Sequence, residues 1–200
     1  ALMTQIVSAP TFPDAVLARD KQRLVAAIRE SLTKPSVLAE RAFGTAIYGT
    51  HPYGQTASPE TVESITRDDL VRYYQANYTA KRAVVTLIGA ISRQEAEAIA
   101  EQITRGLPAD GATPPALPAV KEPLEKAQTI RIPHPAQQAT IILGQPGIAR
   151  GDKDYFPLLV GNYVLGGGGF SARLTNEVRE KRGLTYSIGS YFAPAAQPGP

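Results

Sequence analysis

The chain has 200 residues, 43% of them hydrophobic and 20% charged, which is ample material for a buried core and not the profile of a disordered chain. Its 21 Lys+Arg against 18 Asp+Glu leave a net charge of +3, too small a surplus to make a nucleic-acid footprint. Cysteine is absent and His51 and His134 are the only histidines, which excludes a disulfide framework and any Cys-based zinc or redox centre; no apolar run reaches the ~18–20 residues that cross a bilayer.

The opening Ala1-Leu2-Met3 reads as the interior of a helix and no signal peptide opens the chain, so the sequence is expected to be an excised fragment. From Asp14 to Leu32, apolar residues recur at Leu17, Leu24, Val25, Ile28 and Leu32, the stripe of a helix with one buried face. Lys34-Pro35 stops it, because the residue before a proline is pushed out of the helical region. A second amphipathic stretch, Ser36 to Tyr48, turns Leu38, Ala42, Phe43, Ala46 and Ile47 inward and ends at Gly49 and the turn His51-Pro52-Tyr53-Gly54. Ser58-Pro59 is an N-cap followed by proline at the first helical position, and Thr66 caps a helix carrying Leu70, Tyr73, Tyr74 and Tyr78.

Ala83-Val84-Val85-Thr86-Leu87-Ile88 predicts a short strand buried on both faces. Ser92 to Leu107 is the clearest helix: Ser92 and Glu95 form a capping box, and Ala96, Ile99, Ala100, Ile103 and Leu107 make its stripe. Pro108, Pro114, Pro115, Pro118 and Pro123 then crowd one segment, which can hold neither a helix nor a central strand and reads as an extended linker. Strands are predicted at Gln128–Ile132 and Ala139–Leu143, then an apolar helix from Asp154 to Leu165 broken by Gly166-Gly167-Gly168-Gly169. Ser171 to Lys181 is helical again, Gly183 closes it, and Leu184–Phe192 alternates as a strand. The expected fold class is α+β, in two αβ modules: residues 1–106 and 127–200, joined by a Pro-rich linker at 107–126.

Candidate chemistry is sparse. His51 and His134 stand on opposite sides of the linker, outside any His-x-x-x-His or His-x-x-Glu-His spacing, and both read as turn residues. The glycine run could be taken for a phosphate loop, yet the segment before it is helical and no Lys follows, so a helix-to-helix corner accounts for it; exposed amides at Gly167, Gly168 and Gly169 could still meet a substrate backbone. Arg179 ends a helix, Gly183 turns the chain and Tyr186 begins the next strand. Across that corner guanidinium and phenol could point the same way and donate to a peptide carbonyl or its oxyanion, although spacing alone is met more simply by an exposed arginine and an ordinary strand tyrosine. Arg173, Arg179, Lys181 and Arg182 form a basic helix end that complements the helix dipole.

The segment from Leu165 through the glycines, Ser171, Arg173-Leu174 and Arg179 to Tyr186 resembles the pitrilysin and mitochondrial-processing-peptidase family of inverted-zincin metallopeptidases. So do His51-Pro52-Tyr53-Gly54 and the stretch from Tyr73 through Asn77-Tyr78 to Gly89, and the likeness runs in order along nearly the whole chain. The resemblance implies repeated αβ domains that enclose extended peptides, with zinc held by His-x-x-Glu-His and a downstream Glu. This sequence lacks that motif. By position, the family's pair of helical glutamates corresponds to Asp20 and Ala27, and Ala27 has no oxygen to offer where the family's second glutamate binds zinc. An arginine and a tyrosine seven apart, which contact substrate in the family, are matched by Arg179 and Tyr186.

The resemblance therefore implies a non-catalytic domain or subunit, holding no cofactor and no catalytic residue of its own. It would contribute Arg179 and Tyr186 to peptide binding beside a zinc-bearing partner chain of the same family. An assembly scaffold with no part in proteolysis is the alternative. The resemblance further suggests export, in a bacterium to the periplasm.

Overall fold

The computed structural model describes residues 2–120 and 126–200. Seven α-helices occur among them: α1 Leu2–Ser8, α2 Asp14–Ser31, α3 Pro35–Tyr48, α4 Pro59–Ser64, α5 Arg67–Asn77, α6 Arg93–Thr104 and α7 Tyr155–Asn162. Two wider π-helical turns, Tyr163–Gly167 and Thr175–Glu180, and short 3-10 turns complete the regular structure. The chain divides into two compact units. One takes the residues up to Thr33 together with Ala57–Ala116; the other takes Lys34–Thr56 together with the described residues from Leu117 to Pro200.

In the first unit part of the stripe read along α2 does the packing, while Leu24, expected inside with it, is 48% exposed. Val25 and Ile28 are buried against Val62 of α4, with Leu32 partly buried beside them. Lys21 fastens the same pair of helices, since its Nζ donates to the carbonyls of Glu63 at 2.6 Å and Ile65 at 2.7 Å and so satisfies the open C-terminal end of α4. Helix starts form as the capping residues require. Ser58 Oγ accepts from Thr61 N–H, with Pro59 at the first helical position, and Thr66 and Asp69 cap α5 reciprocally. Ser92 and Glu95 do the same for α6, where the Ser92 hydroxyl and backbone N–H donate to Glu95 Oε2 at 2.7 and 2.9 Å. Those bonds, the hydroxyl's first, hold the Glu95 carboxyl below its ordinary range. α1 packs on α6, and Tyr74 Oη donates to Val7 O at 2.7 Å.

The strand expectations need correction. No strand forms among the described residues: 83–88, 128–132, 139–143 and 184–192 lie outside helices but in no ladder. Val84 and Ile88, expected to be buried on both faces, are 90% and 96% exposed, and Ile141 and Leu143 are 85% and 95% exposed. β propensity marks these runs as suited to a pleated surface, but a strand exists only through a ladder of hydrogen bonds to a neighbouring strand, and none of these runs joins a ladder here. The described residues are therefore helices joined by irregular segments, without the sheet an α+β fold would have. Between Pro108 and Val120 no helix or strand forms either, as the prolines dictate. Its start is held in the first unit, where Ala80 N–H donates to Pro108 O at 2.8 Å and Ala112 N–H to Ala76 O at 3.1 Å. The residues expected to end the linker, 121–125, lie outside the described residues.

In the second unit α3 starts at Pro35, is capped at Gly49, and is followed by a 3-10 turn, Pro52–Gly54, built around a buried His51. The C-terminal segment folds back along 147–150: Gly147 N–H donates to Gly199 O at 2.8 Å and Arg150 N–H to Ala195 O at 2.9 Å.

Candidate functional site

Arg179 and Tyr186 belong to the second unit, and the local chain path brings them together. Thr175–Glu180 winds as a π turn rather than the α-helix expected over 171–181. The turn closes at Gly183, whose φ of +60° is a left-handed conformation that costs a residue with a Cβ. Gly183 N–H donates to Arg179 O at 2.9 Å and Leu184 N–H to Val178 O at 3.1 Å, so the helix end is sealed and the chain reverses at once. The guanidinium carbon of Arg179 then lies 4.9 Å from the ring centroid of Tyr186 and 5.2 Å from that of Phe170. Both distances are within the range of cation–π attraction. The arginine side chain is 29% exposed, whereas Tyr186 and Phe170 are 86% and 78% exposed.

Charges around the pair leave Arg179 distinct. Lys181 Nζ donates to Glu177 Oε1 at 2.6 Å and Arg182 Nη1 to Glu177 Oε2 at 3.1 Å. These bonds, Lys181's first, hold the Glu177 carboxyl below its ordinary range. Two of the four cations in the expected basic helix end are thus tied to one carboxylate. Arg179 keeps a looser contact, Nε to Glu180 Oε1 at 3.4 Å, which leaves its Nη donors outside that pair.

The glycine run forms the expected corner. It enters from the π turn Tyr163–Gly167, with Gly168 N–H donating to Tyr163 O at 2.8 Å, and leaves through a 3-10 turn at Gly169–Ser171. Gly166 is there because chain passes against it: a Cβ would stand 2.4 Å from Ser190 Oγ and 2.5 Å from Ser190 N. Asn162 locks that approach. Its Nδ2 donates to Ser190 O at 3.0 Å and its Oδ1 accepts from Ser190 Oγ at 2.7 Å. Neither Asn162 nor Ser190 stands out in the sequence. Phe170 has one faint signal, a large ring set directly after four glycines.

Zinc does not fit these residues. Both ring nitrogens of His51 are engaged: Nδ1 accepts from Tyr53 N–H at 3.1 Å, so Nε2 carries the proton and donates to Pro118 O at 3.0 Å. His134 Nδ1 accepts from Ala136 N–H at 3.1 Å. Asp20 faces Arg19 and Arg23 at 3.2 and 3.7 Å, and Ala27 brings only a methyl group. Among the described residues no group of three His, Cys, Asp or Glu could hold a metal ion. No helix among them is long and apolar enough to cross a membrane.

Comparison with known proteins gives consistent findings. Residues 64–200 match the family described as peptidase M16 inactive domain. A solved structure, the peptidase M16 inactive domain from Pseudomonas fluorescens, superposes with a TM-score of 0.84 at 35% identity, over 98% of this chain and 47% of that one. An uncharacterized zinc protease of Streptomyces coelicolor is 32% identical over 171 residues, 82% of this chain and 35% of the relative. A Schizosaccharomyces pombe protein named as a probable mitochondrial-processing peptidase subunit beta is 27% identical over 172 residues, 83% of this chain and 37% of its own length. The chain thus spans between about a third and about a half of the length of these relatives.

Proposed function

The chain belongs to the peptidase M16 inactive-domain family, and from that premise we propose that it is the zinc-free half of a two-part peptidase. In this reading Arg179 and Tyr186 hold the backbone of an extended peptide while a zinc-bearing chain or domain of the same family cuts it. The observation that carries the reading is the position of the Arg179 guanidinium carbon over the Tyr186 ring, 4.9 Å from its centroid. A guanidinium kept in place against a ring loses little freedom when it binds, and its in-plane N–H groups suit a carbonyl or the oxyanion that develops from one. Tyr186 Oη adds a donor from the far side of the chain reversal. At the glycine corner, Gly169 has open space where a side chain would stand, so a peptide backbone can come close there.

Two further findings support a partner. One relative is named as a subunit. In addition, Phe156, Val160, Tyr163 and Val164 are exposed on and just beyond α7, the kind of apolar surface that a second chain covers. The competing reading, an assembly scaffold, shares that surface but has no use for the arginine–tyrosine pair.

An NMR titration of the full chain with an unstructured peptide separates the two. Saturable shifts are expected in the amide signals of Gly167, Gly168, Gly169, Arg179 and Tyr186. A spectrum that stays unchanged at these five residues overturns the peptide-binding reading.

A further inference from the structure

We infer that Phe170 is a specificity-determining contact, its exposed ring receiving an apolar side chain of the peptide whose carbonyl Arg179 binds. The inference rests on the peptide-binding reading above and goes beyond it by naming what is selected. Single exposed apolar residues are ordinary on protein surfaces. Phe170 differs because it shares a cation with the other proposed binding residue: one guanidinium carbon stands 5.2 Å from its ring and 4.9 Å from that of Tyr186.

That sharing constrains how a ligand can approach. With two rings against it, and Nε beside Glu180 Oε1 at 3.4 Å, Arg179 has its Nη groups left for a carbonyl. A carbonyl bonded there arrives within reach of both rings. Along an extended peptide, successive side chains point to opposite sides. The two side chains that flank the carbonyl are therefore directed apart, and Phe170 offers one of them a flat surface with no donor or acceptor. A polar side chain would lose water there without replacing its hydrogen bonds, and a cationic one would meet the charge of Arg179. An aromatic or large aliphatic side chain gains ring-to-ring or ring-to-methylene contact. Phe170 is 78% exposed, so little of its surface is already committed to the fold.

The test uses two otherwise identical, unstructured Gly/Ser-rich peptides with a central Phe or a central Ala, titrated by fluorescence anisotropy against the full chain. The unaltered chain is expected to favour the Phe peptide by about fivefold, the scale of one aromatic contact. Phe170→Ala should bring the ratio close to one; because the ring also touches Arg179, affinity for both peptides falls together, and the ratio isolates the contact with the central side chain. Phe170→Leu, apolar but without a ring, should keep part of the preference. Circular dichroism of all three proteins should superimpose, because the replaced ring is on the surface. An unaltered chain that binds both peptides equally, or a Phe170→Ala chain that keeps the full preference, overturns this inference alone. Failure of the unaltered chain to bind either peptide overturns the peptide-binding reading and the inference with it.

Discussion

Arg179→Ala, assayed with a zinc-bearing M16 partner, is expected to lower turnover of an unstructured peptide by on the order of 100–1,000-fold, the usual cost of losing one oxyanion donor. The partner's zinc content should not change, because an arginine side chain is not a zinc ligand. The size of the effect comes from placement. The Arg179 side chain is 29% exposed and lies within cation–π distance of two rings, so its charge is less shielded by water than that of a free surface arginine. Neither neighbouring cation can stand in for it, since Lys181 and Arg182 are both held by Glu177. Arg179→Lys should recover only a small part of the loss: a lysine keeps the charge but has neither the planar fork nor the stacking surface. Tyr186→Phe keeps the ring under the guanidinium and removes only the hydroxyl, so its smaller effect isolates the phenol. If Arg179→Ala leaves turnover unchanged, the arginine has no role in cleavage.

His51→Ala is expected to destabilise the second unit by about 2–4 kcal/mol, a sum of lost hydrogen bonds and an unfilled space. His51 is 7% exposed and bonded through both ring nitrogens, to Tyr53 N–H and Pro118 O. Its ring also lies 4.7 Å from that of Tyr53 and 6.0 Å from that of Tyr48. Alanine leaves the Tyr53 N–H and the Pro118 carbonyl without their partner and opens a hole beside two tyrosine rings. Asparagine can still accept from the N–H two residues on, so His51→Asn should cost less than His51→Ala. Urea unfolding monitored through the tyrosines measures both; a shift below about 0.5 kcal/mol for His51→Ala is the size of a surface change and contradicts the structural role given to the ring.

How far the structure can be read from the sequence depends on how far apart the interacting residues are. Caps at Ser58, Thr66 and Ser92 involve partners three residues on, and all three form as read. The α2 stripe depends only on helical periodicity, and Val25 and Ile28 face the core as expected. The His51 turn is legible in Pro52 and Gly54, but not its bond to Pro118, which is 67 residues away. For the four β-rich runs the sequence shows suitability for a sheet and says nothing of a neighbour. The run at 83–88 is expected inside on that basis, and Val84 and Ile88 stand outside; Ile141 and Leu143 are exposed as well.

The candidate site divides the same way. The seven-residue spacing of Arg179 and Tyr186 around Gly183 points to one corner, and the ring and guanidinium meet there. The widened π turn at Thr175–Glu180, which sets the pitch of that corner, has no local pattern to announce it. The Asn162–Ser190 lock joins residues 28 apart across a glycine whose purpose is close approach, which a run of four glycines conceals. Phe170 is visible in the sequence only as a neighbour of the glycines; its distance to Arg179 is what singles it out.

The central claim is that this chain assists cleavage in trans while holding no zinc. It is tested most directly by adding the full chain to a purified zinc-bearing M16 chain and measuring hydrolysis of an unstructured peptide. The account predicts that hydrolysis rises above the partner's own level and saturates as the two chains pair, with all the zinc remaining on the partner. Pairing that leaves hydrolysis at the partner's own level would contradict it and favour the scaffold.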